Sequence, residues 1–163
     1  MLIGILSDSH GQHRMVRKAM SLFDKSGVSH VIHCGDVGGI PVFDEMVGND
    51  CTFVWGNMDS PDGGLEEYLQ TVGMSIPVAV PTRLTLGGKR FAIFHGHEPS
   101  FASHLDTLDV DYVLHGHTHA ARNERVGSVR VINPGALHDA PRKTVAVLDT
   151  VSDSLSFHEI HAT

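Results

Sequence analysis

The segment His115-Gly116-His117-Thr118-His119 carries three imidazoles within five residues, a density that packing alone rarely produces. It follows an apolar run, 110–114, that predicts a buried strand. In extended backbone, residues i and i+2 point to the same side. His117 and His119 can therefore face one cavity, with Gly116 keeping the backbone slim between His115 and His117. Imidazole is a common metal ligand, and ligation is the chemistry this cluster offers. The same spacing recurs near the start of the chain. Leu2–Leu6 predicts a central strand, and Asp8 and His10 follow just past its end. In open α/β sheets that edge is where ligands bind. A helix cap at Asp8 with His10 on a loop surface is the competing assignment.

Other elements end in the same kind of residue. Residues 30–34 predict a second strand that delivers Gly35-Asp36. The βαβ order makes it a parallel neighbour of the first, so Asp36 should emerge beside Asp8 and His10. Residues 51–55 predict a third strand leading into Gly56-Asn57-Met58-Asp59. An Asn there is ordinary turn chemistry, but its amide oxygen can also ligate a hard or borderline metal. Residues 89–94 lead into His95-Gly96-His97. Cys34 and His33 are expected to pack rather than react.

The positioning elements follow from periodicity. His13–Ser26 predicts a helix with Val16, Ala19, Met20 and Phe23 on one face and Gly27 as its left-handed stop. Shorter helices are expected over 41–47 and 65–73. Another opens at Pro99 and carries Phe101, Leu105 and Leu108 inward. Hairpins are expected around Gly87-Gly88 and Gly127, and a turn at Asn133-Pro134-Gly135. Thr144–Asp149 and 155–160 predict two final strands. The chain reads βαβαβ first and mostly β later, which implies two packed mixed sheets with helices outside.

Composition narrows the partners. A chain of 163 residues suggests a single domain over 1–163. Its net charge of −7 argues against a general nucleic-acid or anionic-membrane binder. Its 13 His outnumber the 12 Lys plus Arg, which points to metal rather than a basic patch. Two cysteines make no disulfide framework, and the sequence given has no secretory signal or long apolar run. The expectation is a soluble, cytoplasmic protein.

Five strand ends carry chemistry: Asp8/His10, Asp36, Asn57, His95 and His117/His119. A mononuclear site takes about four ligands, so seven candidates suggest two metals. Asp36, on the middle parallel element, is the natural bridge. Two cations about 3.5–4 Å apart clamp phosphoryl oxygens and hold a hydroxide in line. A mononuclear hydrolase of another kind would need the two ends of this set to lie far apart.

Asp8-x-His10, Gly35-Asp36, Gly56-Asn57-x-Asp59, His95-Gly96-His97 and Gly116-His117-Thr118-His119 together resemble the calcineurin-like metallophosphoesterase family. The small size, His33-Cys34-Gly35-Asp36 and Asn133-Pro134-Gly135 are similar to its compact prokaryotic phosphodiesterase branch. The resemblance implies a four-layer α/β/β/α sandwich and hydrolysis of a small phosphoester by a metal-bridging hydroxide. It implies that Asp8, His10, Asp36 and His119 hold one divalent ion, and Asp36, Asn57, His95 and His117 the other. Manganese is expected first, and mixed N/O ligation also suits Fe, Zn, Ni or Co. A homo-oligomer is compatible with the sequence.

One position departs from the family. Many members place His after the Gly-Asn pair, where it helps protonate the leaving group. Here Met58 stands there and has no proton to give. Asn57, Asp59 and His97 remain as candidate catalytic residues. His97 either contacts substrate or stands beside the ligands. The same fold also serves as the protein-binding scaffold subunit of retromer, which needs no complete ligand set. The full set here favours an enzyme.

Overall fold

The computed structural model describes residues 1–103 and 105–161. β1 (Leu2–Leu6), β2 (His30–His33) and β3 (Cys51–Phe53) run parallel, linked through α1 (His13–Ser26) and α2 (Ile40–Asp44). Leu6 pairs with His33 and His33 with Phe53, so the three strands end level with one another. After α3 (Gly63–Thr71) the chain builds a second sheet from β4 (Thr82–Leu86), β5 (Lys89–Ile93), β6 (Tyr112–Leu114), β7 (Arg122–Val126) and β8 (Val129–Asn133). A short helix, α4 (Pro99–Ser103), lies between β5 and β6. The chain then returns to the first sheet with β9 (Thr144–Asp149) and β10 (Ser154–Glu159), both antiparallel to their neighbours. The orders are β10-β9-β1-β2-β3 and β4-β5-β6-β8-β7, and both sheets are mixed, as the sequence implies.

Three apolar clusters separate four layers. α1, α2 and α3 bury Val16, Ala19, Phe23, Val42, Phe43 and Leu69 against the outer face of the first sheet. Between the sheets, Ile3, Ile5 and Ile32 meet Phe91, Ile93, Leu114 and Ile132. On the far side, Phe101, Leu105, Leu108 and Val110 cover Phe94, Val113 and Val131. This fourth layer is thin. α4 ends at Ser103, and Leu105 and Leu108 reach the core from the turn beyond it. Asp106, Thr107 and Asp109 are residue types that favour turns over helix interiors. α3 starts earlier than its periodicity predicts, because the Asp62 side chain caps it by accepting from Leu65 N–H at 2.8 Å. Among the described residues no helix is long and apolar enough to cross a membrane.

Candidate active site

β2, β3 and β5 stop one or two residues sooner than their apolar runs predict, β6 ends at Leu114 as expected, and the loops that follow these strands carry much of the site. Asp8, His10, Asp36, His117 and His119 all adopt positive φ, between 43° and 67°. This left-handed region is uncommon outside glycine, with Asp and His among its better-tolerated residues. Here it turns the chain sharply and brings the Asp8, His10, Asp36 and His119 side chains together. The loops stay in register past the strands. Asp8 N–H donates to Gly35 O at 3.0 Å and His10 N–H to Asp36 O at 2.9 Å. Gly116 N–H likewise donates to His95 O at 2.8 Å.

Two glycines make the approach close enough. A Cβ on Gly56 would stand 2.0 Å from Asp36 Oδ1, and one on Gly116 would stand 1.8 Å from Ser7 Oγ and 2.5 Å from Asp8 Oδ2. No side chain fits at either position without moving the carboxylates.

The carboxylates and imidazoles meet through their acceptors. His95 Nδ1–H donates to Cys34 O at 2.8 Å, and His119 Nδ1–H to Asp139 O at 3.1 Å. A carbonyl can only accept, so each neutral ring carries its proton on Nδ1 and turns an Nε2 lone pair inward. Those lone pairs face other acceptors. His119 Nε2 lies 3.3 Å from Asp8 Oδ1, and His95 Nε2 lies 3.3 Å from Asp36 Oδ2 and 3.0 Å from Asn57 Oδ1. His10 Nε2 lies 3.5 Å from Asp36 Oδ2 and is buried without a hydrogen-bond partner among the described residues. Acceptors this close repel unless a cation stands between them. Ligand atoms about 2.0–2.2 Å from one metal are themselves about 3–3.5 Å apart. The donor set therefore fits a divalent metal on its own geometry.

Asp8, His10 and His119 form one such triad, and Asp8, Asp36 and His95 another, each with ligand atoms within 4.8 Å of one another. Asp36 Oδ2 lies between His10 and His95. Burial raises the Asp8 carboxyl pKa, against the lowering effects of the Ser7 hydroxyl, His95 and His119. That desolvation penalty is what a bound cation offsets.

The remaining sequence candidates sit around this centre. The His117 ring stands at the exposed rim, 5.1 Å from the His95 ring, while the His117 backbone N–H donates to Asp8 Oδ2 at 3.0 Å. His97 is also at the rim, with its ring 5.3 Å from His95 and 6.1 Å from His117. Met58 is 67% exposed, and its N–H donates to Asp36 Oδ1 at 2.8 Å. Both Asp59 oxygens accept from backbone: Oδ1 from Val37 and Gly38, Oδ2 from Gly56. Asp59 thus ties the loop after β3 to the loop after β2.

Several supporting residues carry no sequence spacing that would reveal them. Glu98 accepts from His95 N–H and Gly96 N–H at 2.8 and 2.6 Å. The His138 ring lies 5.1 Å from His10. Asn133 is buried, and its amide donates to Gly116 O and Thr118 Oγ1 at 2.9 and 3.1 Å. It braces the His-rich loop as well as making the expected turn. His33 is fully buried. Its Nδ1 accepts from Gly35 N–H at 3.2 Å, so its Nε2–H donates to Ser9 Oγ at 2.8 Å. The Ser9 hydroxyl passes on to Val37 O at 2.9 Å. Burial, with a smaller contribution from His95 and His10, pushes the His33 pKa down to about 3. His115 packs against Phe101, and burial brings its pKa to about 4. Burial likewise pushes the Cys34 thiol well up, so it packs in its neutral form.

Comparison with known proteins agrees with this geometry. Residues 1–153 match the calcineurin-like phosphoesterase superfamily domain. A curated phosphodiesterase of Methanocaldococcus jannaschii is 33% identical over 157 residues, covering 92% of this chain and 93% of the relative. The solved structure of an archaeal phosphodiesterase superposes with a TM-score of 0.87 at 30% identity, over 98% of this chain and 99% of that one. Zinc-bound Vps29 of Entamoeba histolytica shares the fold at a TM-score of 0.62 and 18% identity, over 98% of each chain. Sequence and fold agree across nearly the whole length, and the chain belongs to the calcineurin-like phosphoesterase superfamily.

Proposed function

We propose that this chain is a binuclear metal-dependent phosphodiesterase, one domain over 1–163, that hydrolyses a small phosphoester in the cytoplasm. The supporting observation is the convergence of the Nε2 atoms of His10, His95 and His119 on the Asp8 and Asp36 carboxylates. Asp8, His10, Asp36 and His119 are assigned to one ion, and Asp36, Asn57, His95 and His117 to the other. Asp36 is the bridge, since its Oδ2 lies 3.5 and 3.3 Å from one imidazole of each set. Bound divalent ions at such a site supply a nucleophile at neutral pH and neutralise phosphoryl charge. Manganese is the first ion to test, ahead of Fe, Zn, Ni and Co.

The chain's own groups do the rest. Two carboxylates among neutral imidazoles leave the loaded centre net positive, which attracts an anionic ester despite the acidic chain. Asp59, Glu98 and Asn133 hold the loops after β2, β3, β5 and β6, which aim donors at the centre. No proton comes from position 58. His97 is the imidazole assigned to substrate contact. A non-catalytic scaffold draws support from the fold shared with Vps29, but an uninterrupted donor set favours the enzyme.

The test is metal-free protein reloaded with each ion in turn, assayed on phosphomonoesters, phosphodiesters and cyclic nucleotides, with elemental analysis of each sample. Diester hydrolysis at about two equivalents of metal is expected. Saturation at one equivalent or none overturns the binuclear assignment. Two bound ions without hydrolysis of any diester overturns the activity.

A further inference from the structure

Leu155, Phe157 and Glu159 alternate onto one face of the edge strand β10. Leu155 packs into the core between the sheets. Phe157 lines a cavity of about 470 Å³ and is left 39% exposed. The cavity walls include His119, Ala120, Ala121, Pro141 and Arg142. His119 places it directly beside the metal centre, because the same ring sets its Nε2 3.3 Å from Asp8 Oδ1.

Two of the polar groups around the cavity are paired. Arg142 Nε donates to Glu159 Oε2 at 3.0 Å, and Thr144 Oγ1 donates to Pro134 O at 2.8 Å. What the cavity offers an incoming group is alanine, proline and the Phe157 ring, with the exposed Arg142 guanidinium on its wall. Its volume falls in the range of about 300–1,000 Å³ typical of small-molecule sites and far exceeds what a phosphate needs.

Resting on the phosphodiesterase function above, we propose that this cavity is the subsite for an aromatic ester arm of the substrate. Phe157 is its specificity-determining residue, stacking on that arm while the phosphoryl group sits at the metals. The substrate class is a phosphoester carrying an aryl or heteroaryl substituent.

Phenylphosphonate and methylphosphonate share a head group, differ in the arm, and are not hydrolysed. Calorimetric titration of manganese-loaded protein should show phenylphosphonate binding roughly tenfold more tightly. Phe157→Ala should remove that preference and leave methylphosphonate affinity unchanged, which also reports an intact centre. Phe157→Tyr should restore the preference. Ala121→Gln, at another exposed wall position, should narrow the cavity and lower the preference independently. Equal affinity for both probes in the wild type, or an undiminished preference in Phe157→Ala, overturns the subsite. If neither probe binds, the phosphoesterase function itself fails, and the subsite falls with it.

Discussion

His33→Gln should make the protein less dependent on pH, by an amount the structure fixes. His33 is fully buried and neutral, with a pKa near 3 in the fold and an ordinary value of about 6.5 when unfolded. Between those values the unfolded chain binds a proton that the folded chain refuses, so stability falls as pH drops through that window. Above it His33 is neutral in both states and contributes no pH dependence. The slope is about 1.4 kcal/mol per pH unit for one proton. Going from about pH 7.5 to about pH 5.5, the wild type should lose about 1.4 kcal/mol at this residue alone. Gln keeps a polar group in place but does not titrate. At neutral pH it should cost about 1–3 kcal/mol through imperfect bonds to Gly35 N–H and Ser9 Oγ. The gap between wild type and variant should therefore shrink by about 1.4 kcal/mol on acidification, or about 3–6 °C in Tm for a chain of this length. Urea unfolding of both proteins in chelator measures it free of metal. Other titrating groups cancel in the comparison. A gap that stays constant or widens with acid would show that His33 is protonated in the fold and that the Ser9–Val37 relay is wrongly assigned.

Asp36→Ala should empty both metal positions, whereas Asn57→Ala should chiefly weaken one; elemental analysis at saturating Mn²⁺ distinguishes them. Gly56→Ala puts a methyl 2.0 Å from Asp36 Oδ1; it should cost about 1–3 kcal/mol in unfolding free energy and weaken metal binding, and unchanged values for both would show that Asp36 moves freely. Wild type should hydrolyse aryl diesters, whose leaving groups need little protonation, well ahead of alkyl diesters. Met58→His should raise alkyl turnover by roughly tenfold at most without helping aryl esters, because a grafted acid lacks a tuned surrounding. Equal wild-type rates on both ester classes, at matched metal occupancy, would mean that His97 or another group already donates the proton.

The donors were legible in the chain because each comes just after an apolar run. Runs such as Leu2–Leu6 and 110–114 reveal themselves through strand propensity, and the residues past their ends land at one sheet edge. α1 is defined at both ends by its apolar face and by Gly27, whose φ of 75° is the left-handed stop the sequence implies. Groups that act through backbone were not legible. The carbonyls of Cys34 and Asp139 set the tautomers of His95 and His119, and any residue type carries a carbonyl. Glu98 and Asn133 look like an acidic loop residue and a turn former until the fold brings them under the His-rich loops. Asp59 resembled a site residue because it sits beside Asn57, yet its oxygens are engaged by three backbone N–H groups. α4 fell short of its periodicity because the next apolar residues reach the core without helical backbone.

The left-handed donors also bear on how such a chain drifts. Asp8, His10, Asp36, His117 and His119 occupy backbone that glycine adopts freely. Each non-glycine residue held there costs on the order of 1 kcal/mol. A lineage with no further use for metal would recover part of that at each donor replaced by glycine or asparagine, without disturbing the three apolar clusters. Folding energetics alone therefore favours losing these five donors from the loops after β1, β2 and β6, and only what the loops hold offsets that cost.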